Sequence, residues 1–154
     1  MNSASVIWPG RPLLTVIPSS TPPEAIVAAG ADGLFISNGP GDPEAVPHAL
    51  ESIRALAEES TPVFGICLGH QLIARAFGAE TYKLKYGHRG GNHPVRRLHD
   101  GAVEITAQNH GFAVRGDEGG IPGAPELRVT HMNLNDGTVE GLEHRDRPVF
   151  SVQY

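Results

Sequence analysis

The segment that most constrains this chain is an apolar run that ends at a cysteine and passes directly into a helical pattern. It extends from Val63 to Gln71, and its Cys67 is the single cysteine among 154 residues. A strand that turns sharply into a helix holds the side chain at the turn clear of the sheet, and Gly65 and Gly69 suit so tight a turn. The pattern therefore predicts a nucleophile elbow, and its alternative is a small buried cysteine beside two turn glycines.

The residues around the turn add candidates for chemistry. A thiol at a helix N-terminus meets unpaired backbone N–H groups and the helix dipole, which favour the thiolate and predict a lowered pKa for Cys67. Gln71 lies one helical turn further on, where its amide could hydrogen-bond a substrate or simply face solvent. His70 could act as a base toward the sulfur, although a packed or capping histidine is the commoner use of such a position.

Composition limits the class of protein. The length suits one domain, and a formal net charge of -5 argues against general nucleic-acid binding. No apolar stretch has membrane-spanning length, and the N-terminus lacks a signal-peptide pattern. One cysteine cannot form an internal disulfide, so we expect a reducing, cytoplasmic location. The eight histidines show no compact metal-binding spacing, so the sequence predicts no metal.

Apolar periodicity places the turn within an alternation of strands and helices. Strands are predicted over residues 5–8 (weakly), 13–17, 33–37 and 63–66, and helices over residues 23–29, 43–57 and 68–77. Further strands are predicted over residues 80–86, 102–107, 127–131, 138–142 and 149–153, with a hairpin turn at 135–137. A right-handed crossover between the parallel strands puts the loop after residue 37 beside Cys67, at the edge where α/β sheets bind ligands.

That loop runs from Asn38 to Pro43, and Asp42 is a natural N-cap for the helix that follows. It lacks the lysine and hydroxyl of a P-loop, so phosphate binding is the weaker interpretation. The backbone N–H of Gly39, with that of Leu68, would instead suit an oxyanion. A later polar stretch, residues 109–112, is predicted to be a turn, and its spacing does not distinguish a simple connection from a functional one.

Four segments together resemble one protein family. Residues 65–71 are similar to the nucleophile motif of class I (triad-type) glutamine amidotransferases, and residues 38–43 to their glycine-rich oxyanion loop. Residues 86–95 and 106–114 resemble the small, glutamine-hydrolysing chain of carbamoyl phosphate synthetase. The resemblance implies an α/β, flavodoxin-like fold with a mixed, mostly parallel sheet flanked by helices. It covers a partial amidotransferase domain over residues 13–154, while residues 1–12 do not match.

The resemblance also implies a reaction. Cys67 would attack the side-chain carboxamide of glutamine, and the N–H groups of Gly39 and Leu68 would hold the oxyanion until ammonia leaves a thioester. The positions that match glutamine-binding positions of the family are Gly39, Gly41, Leu68, Gln71, Asn109, Gly111 and Phe112. Ammonia would pass to the large chain of carbamoyl phosphate synthetase, for arginine and pyrimidine synthesis. ATP and Mg would belong to that partner, and this chain would hold no cofactor.

The catalytic base and its orienting carboxylate lie, in the family, in a His-Pro-Glu motif that would follow Tyr154. The family's N-terminal domain and its first strand and helix have no match in residues 1–12. We therefore expect a fragment that releases little ammonia, unless His70 or His110 replaces the base. The alternatives are a non-catalytic binding protein with a degenerate amidotransferase fold, or another class I amidotransferase such as that of anthranilate synthase. A cysteine peptidase is more remote.

Overall fold

The computed structural model describes residues 5–6 and 14–154. Near the N-terminus, β1 (Ser5–Val6) and β2 (Leu14–Thr15) pair antiparallel and form a two-stranded sheet separate from the main one. Both strands are predicted from the sequence, but residues 7–8 and Leu13 of those predictions lie outside the described part. Within the described residues no helix is long and apolar enough to cross a membrane.

The helices follow the predicted order, with one interruption. They are α1 (Pro23–Ala28), a 3-10 helix (Pro43–Ala45), α2 (Pro47–Glu58) and α3 (Leu68–Ala76). Asp42 caps the 3-10 helix by accepting a 2.9 Å hydrogen bond from the Glu44 N–H. The single helix predicted from residue 43 to 57 is wrong, because Pro47 lacks an N–H and keeps Val46 out of the helical region, at φ −123° and ψ 51°.

A seven-stranded mixed sheet forms the body of the molecule. Its strands are β3 (Leu34–Ile36), β4 (Val63–Ile66), β5 (Thr81–Arg97), β6 (Val103–Val114), β7 (Leu127–Asn133), β8 (Val139–His144) and β9 (Val149–Val152). Their order is β3-β4-β9-β8-β6-β5-β7. Only β3, β4 and β9 are mutually parallel, and the other pairs are antiparallel. The α/β class with a mixed sheet is confirmed, whereas the expected parallel majority is wrong, since short turns join β5 to β6 and β7 to β8.

The two longest strands, β5 and β6, extend well past their predicted ends. Their pairing shifts register between Lys83 and His88 and again between Gly90 and His93. Gly87 and Gly90 have φ values of 70° and 113°, which glycine adopts without strain. The glycine-rich stretch is therefore bulged strand and not loop, and residues 109–112, predicted as a turn, are part of β6.

The hydrophobic core lies between the helices and one face of the sheet. It includes Ile53 and Leu56 of α2, Ile73 of α3, Val63 of β4 and Val149 of β9, all almost fully buried. On the opposite face, register places Phe35 beside Phe64 and Phe64 beside Phe150. Phe35 is 51% exposed and Phe150 is 47% exposed, so β3 is covered on one face only, although an entirely apolar strand is typical of one that is covered on both faces.

Candidate functional site

Cys67 sits at the junction of β4 and α3 in a backbone conformation that is rare for a residue with a side chain. Its φ is 54° and its ψ is −104°. The conformation is held from both sides, because the Cys67 N–H donates to the Val152 carbonyl at 3.0 Å and its own carbonyl accepts from the Gln71 N–H at 3.2 Å. Such strained conformations cost about 1–3 kcal/mol and persist where the surroundings fix them, as at nucleophile elbows.

The two glycines of the turn are required by close backbone contact. A Cβ at Gly65 would lie 2.7 Å from the Gly69 carbonyl carbon and oxygen. A Cβ at Gly69 would collide with the backbone carbonyl of Ile36, at the end of β3. The first turn of α3 therefore rests directly on the carboxyl ends of β3 and β4, which sets where the cysteine side chain stands.

The glycine-rich loop after β3 contacts this turn, as expected from the right-handed crossover between the parallel strands. A Cβ at Gly39 would lie 3.0 Å from the Cδ2 atom of Leu68, the first residue of α3. Gly41 has a φ of 107°, which side chains rarely adopt. The structure thus brings together Cys67 and both residues predicted as oxyanion donors, Gly39 and Leu68.

Gln71 lies inside the protein, and its partners come from two strands. Only 3% of the residue is exposed, which excludes the surface-glutamine alternative. Its Nε2 donates to the Phe112 carbonyl at 2.9 Å and to Gln153 Oε1 at 3.0 Å. Gln71 and Phe112, both predicted to position substrate, are therefore joined directly, one helical turn from Cys67.

The two other predicted binding residues on β6 have different environments. Asn109 is exposed opposite Arg89 and makes no side-chain hydrogen bond within the described chain. Gly111 is half-buried, and a Cβ there would meet open space. Among the described residues, Gly111 and Phe112 are adjacent on β6, and the Asn109 side chain forms no hydrogen bond with Gln71.

The Cys67 thiol does not have the lowered pKa that its place at a helix N-terminus had predicted. Partial burial raises the pKa, and the charge of Glu140 adds to the increase. Hydrogen bonding to the Leu68 N–H and the Gln153 amide acts in the opposite direction without overcoming burial. The correction follows from competing effects, since removing the thiolate from water outweighs the dipole of a short helix.

Neither histidine considered as a substitute base reaches the thiol. His70 is fully buried, and its Nδ1 lies 2.9 Å from Ser151 Oγ. Burial, with His110 and His131 nearby, lowers the pKa of His70 to about 3. His110 donates through Nδ1 to the Phe112 carbonyl at 2.8 Å, and burial lowers its pKa to about 4. Among the described residues neither ring forms a hydrogen bond with Cys67 Sγ, and the lowered pKa values make both rings weak proton acceptors.

Two buried polar residues that the sequence had not indicated stand next to the thiol. Gln153 is 1% exposed, accepts from Gln71, and lies at the end of β9, beside the elbow. Glu140, on β8, is completely buried. A glutamine that ends an apolar strand and a glutamate between apolar residues were the available signals, but only strand pairing shows that both face Cys67.

Three possible metal ligands also converge, although no compact spacing links them. One ligand atom each from His88, His110 and Glu140 lies within 4.8 Å of the others, and all three residues are buried. They belong to β5, β6 and β8, so only the folded sheet brings them together.

The chain was compared with known proteins. The profile of the family glutamine amidotransferase class-I matches residues 12–154. The carbamoyl phosphate synthase small chain of Syntrophotalea carbinolica is 58% identical over 92% of this chain and 36% of that protein. That of Chlorobaculum tepidum is 55% identical over 92% of this chain and 38% of that protein. The chain thus spans somewhat more than a third of the length of these relatives.

Solved structures agree on the fold. A glutamine amidotransferase from Methylobacillus flagellatus superposes with a TM-score of 0.67 at 19% identity, over 81% of this chain and 51% of that one. A glutamine amidotransferase from Thermotoga maritima gives a TM-score of 0.62 at 19% identity, over 77% of this chain and 54% of that one. With the family profile covering almost every residue and the elbow in place, the chain belongs to the class-I glutamine amidotransferase family.

Proposed function

We propose that this chain carries the nucleophile and oxyanion part of a glutamine-hydrolysing site, in the small chain of a carbamoyl phosphate synthetase. The observation that carries the proposal is the strained elbow at Cys67, with the loop of Gly39 against Leu68. Relatives at 55% and 58% identity bear the name carbamoyl phosphate synthase small chain, which favours this enzyme over anthranilate synthase.

In the proposed reaction the Cys67 sulfur attacks the side-chain carbonyl carbon of glutamine. The N–H groups of Gly39 and Leu68 donate to the oxygen, which gains negative charge as the tetrahedral intermediate forms. The C–N bond then breaks, the nitrogen takes a proton and leaves as ammonia, and a glutamyl thioester remains. Water adds to the thioester, glutamate departs, and the thiol is restored.

Substrate recognition is proposed for the surface around the elbow. Gln71 and Phe112 are already joined, so a ligand would meet them as one preorganised unit. Gly111 leaves space beside them, and Gly41 shapes the loop on the other side of the thiol. Asn109 would approach the ligand from the exposed side of β6.

Ammonia from this reaction is proposed to serve a large synthetase chain, which would hold ATP and Mg and form carbamoyl phosphate. We place the reaction in the cytoplasm, since a free thiol nucleophile requires a reducing environment.

The raised pKa of Cys67 favours a second candidate, a protein that binds glutamine without hydrolysing it. A thiol that stays protonated at neutral pH attacks an amide slowly unless a base removes its proton. The two functions differ in whether Cys67 itself forms a covalent bond with a substrate-like molecule.

The test uses a chloromethyl ketone analogue of L-glutamine, which alkylates a correctly placed thiolate with loss of chloride. We expect about one adduct per chain, located at Cys67 by peptide mass spectrometry, because binding raises the local concentration of the electrophile. Cys67→Ser should give no adduct, and the D-enantiomer should react at the slow rate of an ordinary thiol. Equal rates for the two enantiomers would contradict the proposed site. Direct measurement of glutamine binding would then test the second candidate.

A further inference from the structure

We propose that His88, His110 and Glu140 form a binding site for a divalent cation of the zinc type, with the Gln108 side-chain oxygen as a fourth donor. The site lies within the sheet, between β5, β6 and β8, and its Glu140 also stands next to Cys67.

His110 presents a lone pair to the centre of this group. Its Nδ1 lies 2.8 Å from the Phe112 carbonyl oxygen, which can only accept, so Nδ1 carries the hydrogen. A neutral imidazole has one N–H, and Nε2 is therefore an acceptor. Nε2 lies 2.8 Å from Gln108 Oε1, which is also an acceptor.

His88 repeats the arrangement from the neighbouring strand. Its Nε2 lies 2.8 Å from an Asp136 carboxylate oxygen and so carries the hydrogen. In the neutral ring the lone pair is then on Nδ1, which lies 2.9 Å from Gln108 Oε1 and 3.4 Å from Glu140 Oε1. Acceptors thus face acceptors on both sides of Gln108.

The orientation of the Gln108 amide is set by its other neighbour. Thr106 Oγ1 donates its one hydrogen to the His93 carbonyl at 3.0 Å. It can only accept from Gln108, whose Nε2 lies 3.1 Å away. The amide orientation that keeps both of these Thr106 hydrogen bonds turns Oε1 toward the histidines.

Glu140 brings a negative charge to the same point. The residue is completely buried, and its Oε2 has no hydrogen-bond partner within the described residues. Its Oε1 accepts from Asn133 Nδ2 at 2.8 Å. Thr138 Oγ1 also donates to Oε1, at 3.3 Å. The unpartnered Oε2 of a buried carboxyl group, beside two imidazole lone pairs, is the kind of surroundings that a bound cation satisfies.

The donor set and its support fit zinc chemistry. Zinc binds imidazole nitrogen and carboxylate oxygen at about 2.0–2.2 Å, which atoms within 4.8 Å of each other reach by moving inward. The outward N–H of each histidine is held by the Asp136 carboxylate or the Phe112 carbonyl, as is usual for metal-bound histidines. A bound ion would join three strands directly behind Phe112.

The test measures metal binding by the untagged chain carrying Cys67→Ser, which removes the thiol as a competing ligand. After chelation and dialysis, we expect about one Co²⁺ per chain, with visible absorption bands of a four-coordinate site and a Kd below about 1 μM, displaced by Zn²⁺. Elemental analysis of the protein as purified should find zinc in a similar ratio.

Three ligand variants locate the ion. His88→Asn, His110→Asn and Glu140→Gln, each in the Cys67→Ser background, should weaken Co²⁺ binding by about 100-fold or more, since each loses a ligand. His99→Asn alters an exposed histidine and should bind like the background. Circular dichroism checks the fold of each protein. If the folded background binds no Co²⁺ tighter than about 100 μM, or if the ligand variants bind as tightly as it does, the proposal is wrong.

Discussion

Cys67 combines a strained backbone with a thiol that burial keeps protonated. The strain is imposed by hydrogen bonds with Val152 and Gln71, so the position of the sulfur is fixed before any ligand arrives. The raised pKa means that position and activation are supplied by different groups. Turnover would therefore depend on a nearby group that accepts the proton of the Cys67 thiol.

His70 makes a pH dependence of stability testable at the same scale. Its pKa is lowered to about 3 by burial, whereas an exposed histidine titrates near 6.5. The unfolded chain binds more protons in this interval, so the contribution of neutral His70 is complete above pH 6.5 and is lost as the pH falls toward 3. The free energy of unfolding should fall by up to about 1.4 kcal/mol per pH unit from this group.

Urea denaturation between pH 7 and pH 4 measures the effect. His70→Gln should be less stable at pH 7 but lose less stability on acidification than the unmodified chain, while the exposed His99→Gln should follow the unmodified chain. Parallel curves for the His70 variant and the unmodified chain would show that His70 is not buried in its neutral form.

At the scale of elements, α3 is positioned by backbone contact. Gly69 is the second residue of α3, and a Cβ there would meet the Ile36 carbonyl. Helix propensity alone predicts that alanine would stabilise this position by about 1 kcal/mol. The steric contact predicts the reverse, because either α3 or β3 would have to move.

Gly69→Ala should therefore lower the free energy of unfolding by about 1–3 kcal/mol or more, measured by urea denaturation at neutral pH. Gly91→Ala is the matched control, since a Cβ there meets nothing within 4 Å, and we expect a change within about 0.5 kcal/mol. A Gly69→Ala protein as stable as the unmodified chain would mean that α3 does not rest on β3.

Local patterns were sufficient for much of the fold. Caps, prolines and apolar spacing predicted α1, α3 and the succession of strands along the chain, since each depends on neighbours in sequence. The break in the helix before Pro47 could also have been predicted, because proline lacks the backbone N–H that a helix interior requires. The bulges of β5 were not, because glycine marks a turn and a bulged strand equally.

Local patterns could not predict in the same way which strands pair with one another in the sheet. The parallel pair β3 and β4 follows from one crossover, which is why the meeting of Gly39 with Leu68 was predictable. The contacts of Gln153 and Glu140 depend on β9 pairing with both β4 and β8. Pairing between strands far apart in sequence leaves no local periodicity, and the same reason hides the cluster around Gln108.

At the scale of the whole molecule, the parallel strands and the antiparallel strands of the sheet contribute different parts of the site. The parallel strands β3, β4 and β9 present their carboxyl ends to the elbow and its loop. The antiparallel strands supply Phe112 and the buried polar residues from the other side. The site therefore exists only where the two halves join, at α3 and β9.

Protection of Cys67 by L-glutamine is the decisive test of a glutamine site at the elbow. The rate of alkylation by iodoacetamide is followed by mass spectrometry at rising concentrations of L-glutamine, with L-asparagine and D-glutamine as controls. We expect saturable protection by L-glutamine alone, reaching about tenfold at ten times its Kd, because the bound carboxamide covers the sulfur. An alkylation rate that L-glutamine leaves unchanged, or that all three compounds slow equally, would contradict a glutamine site at the elbow.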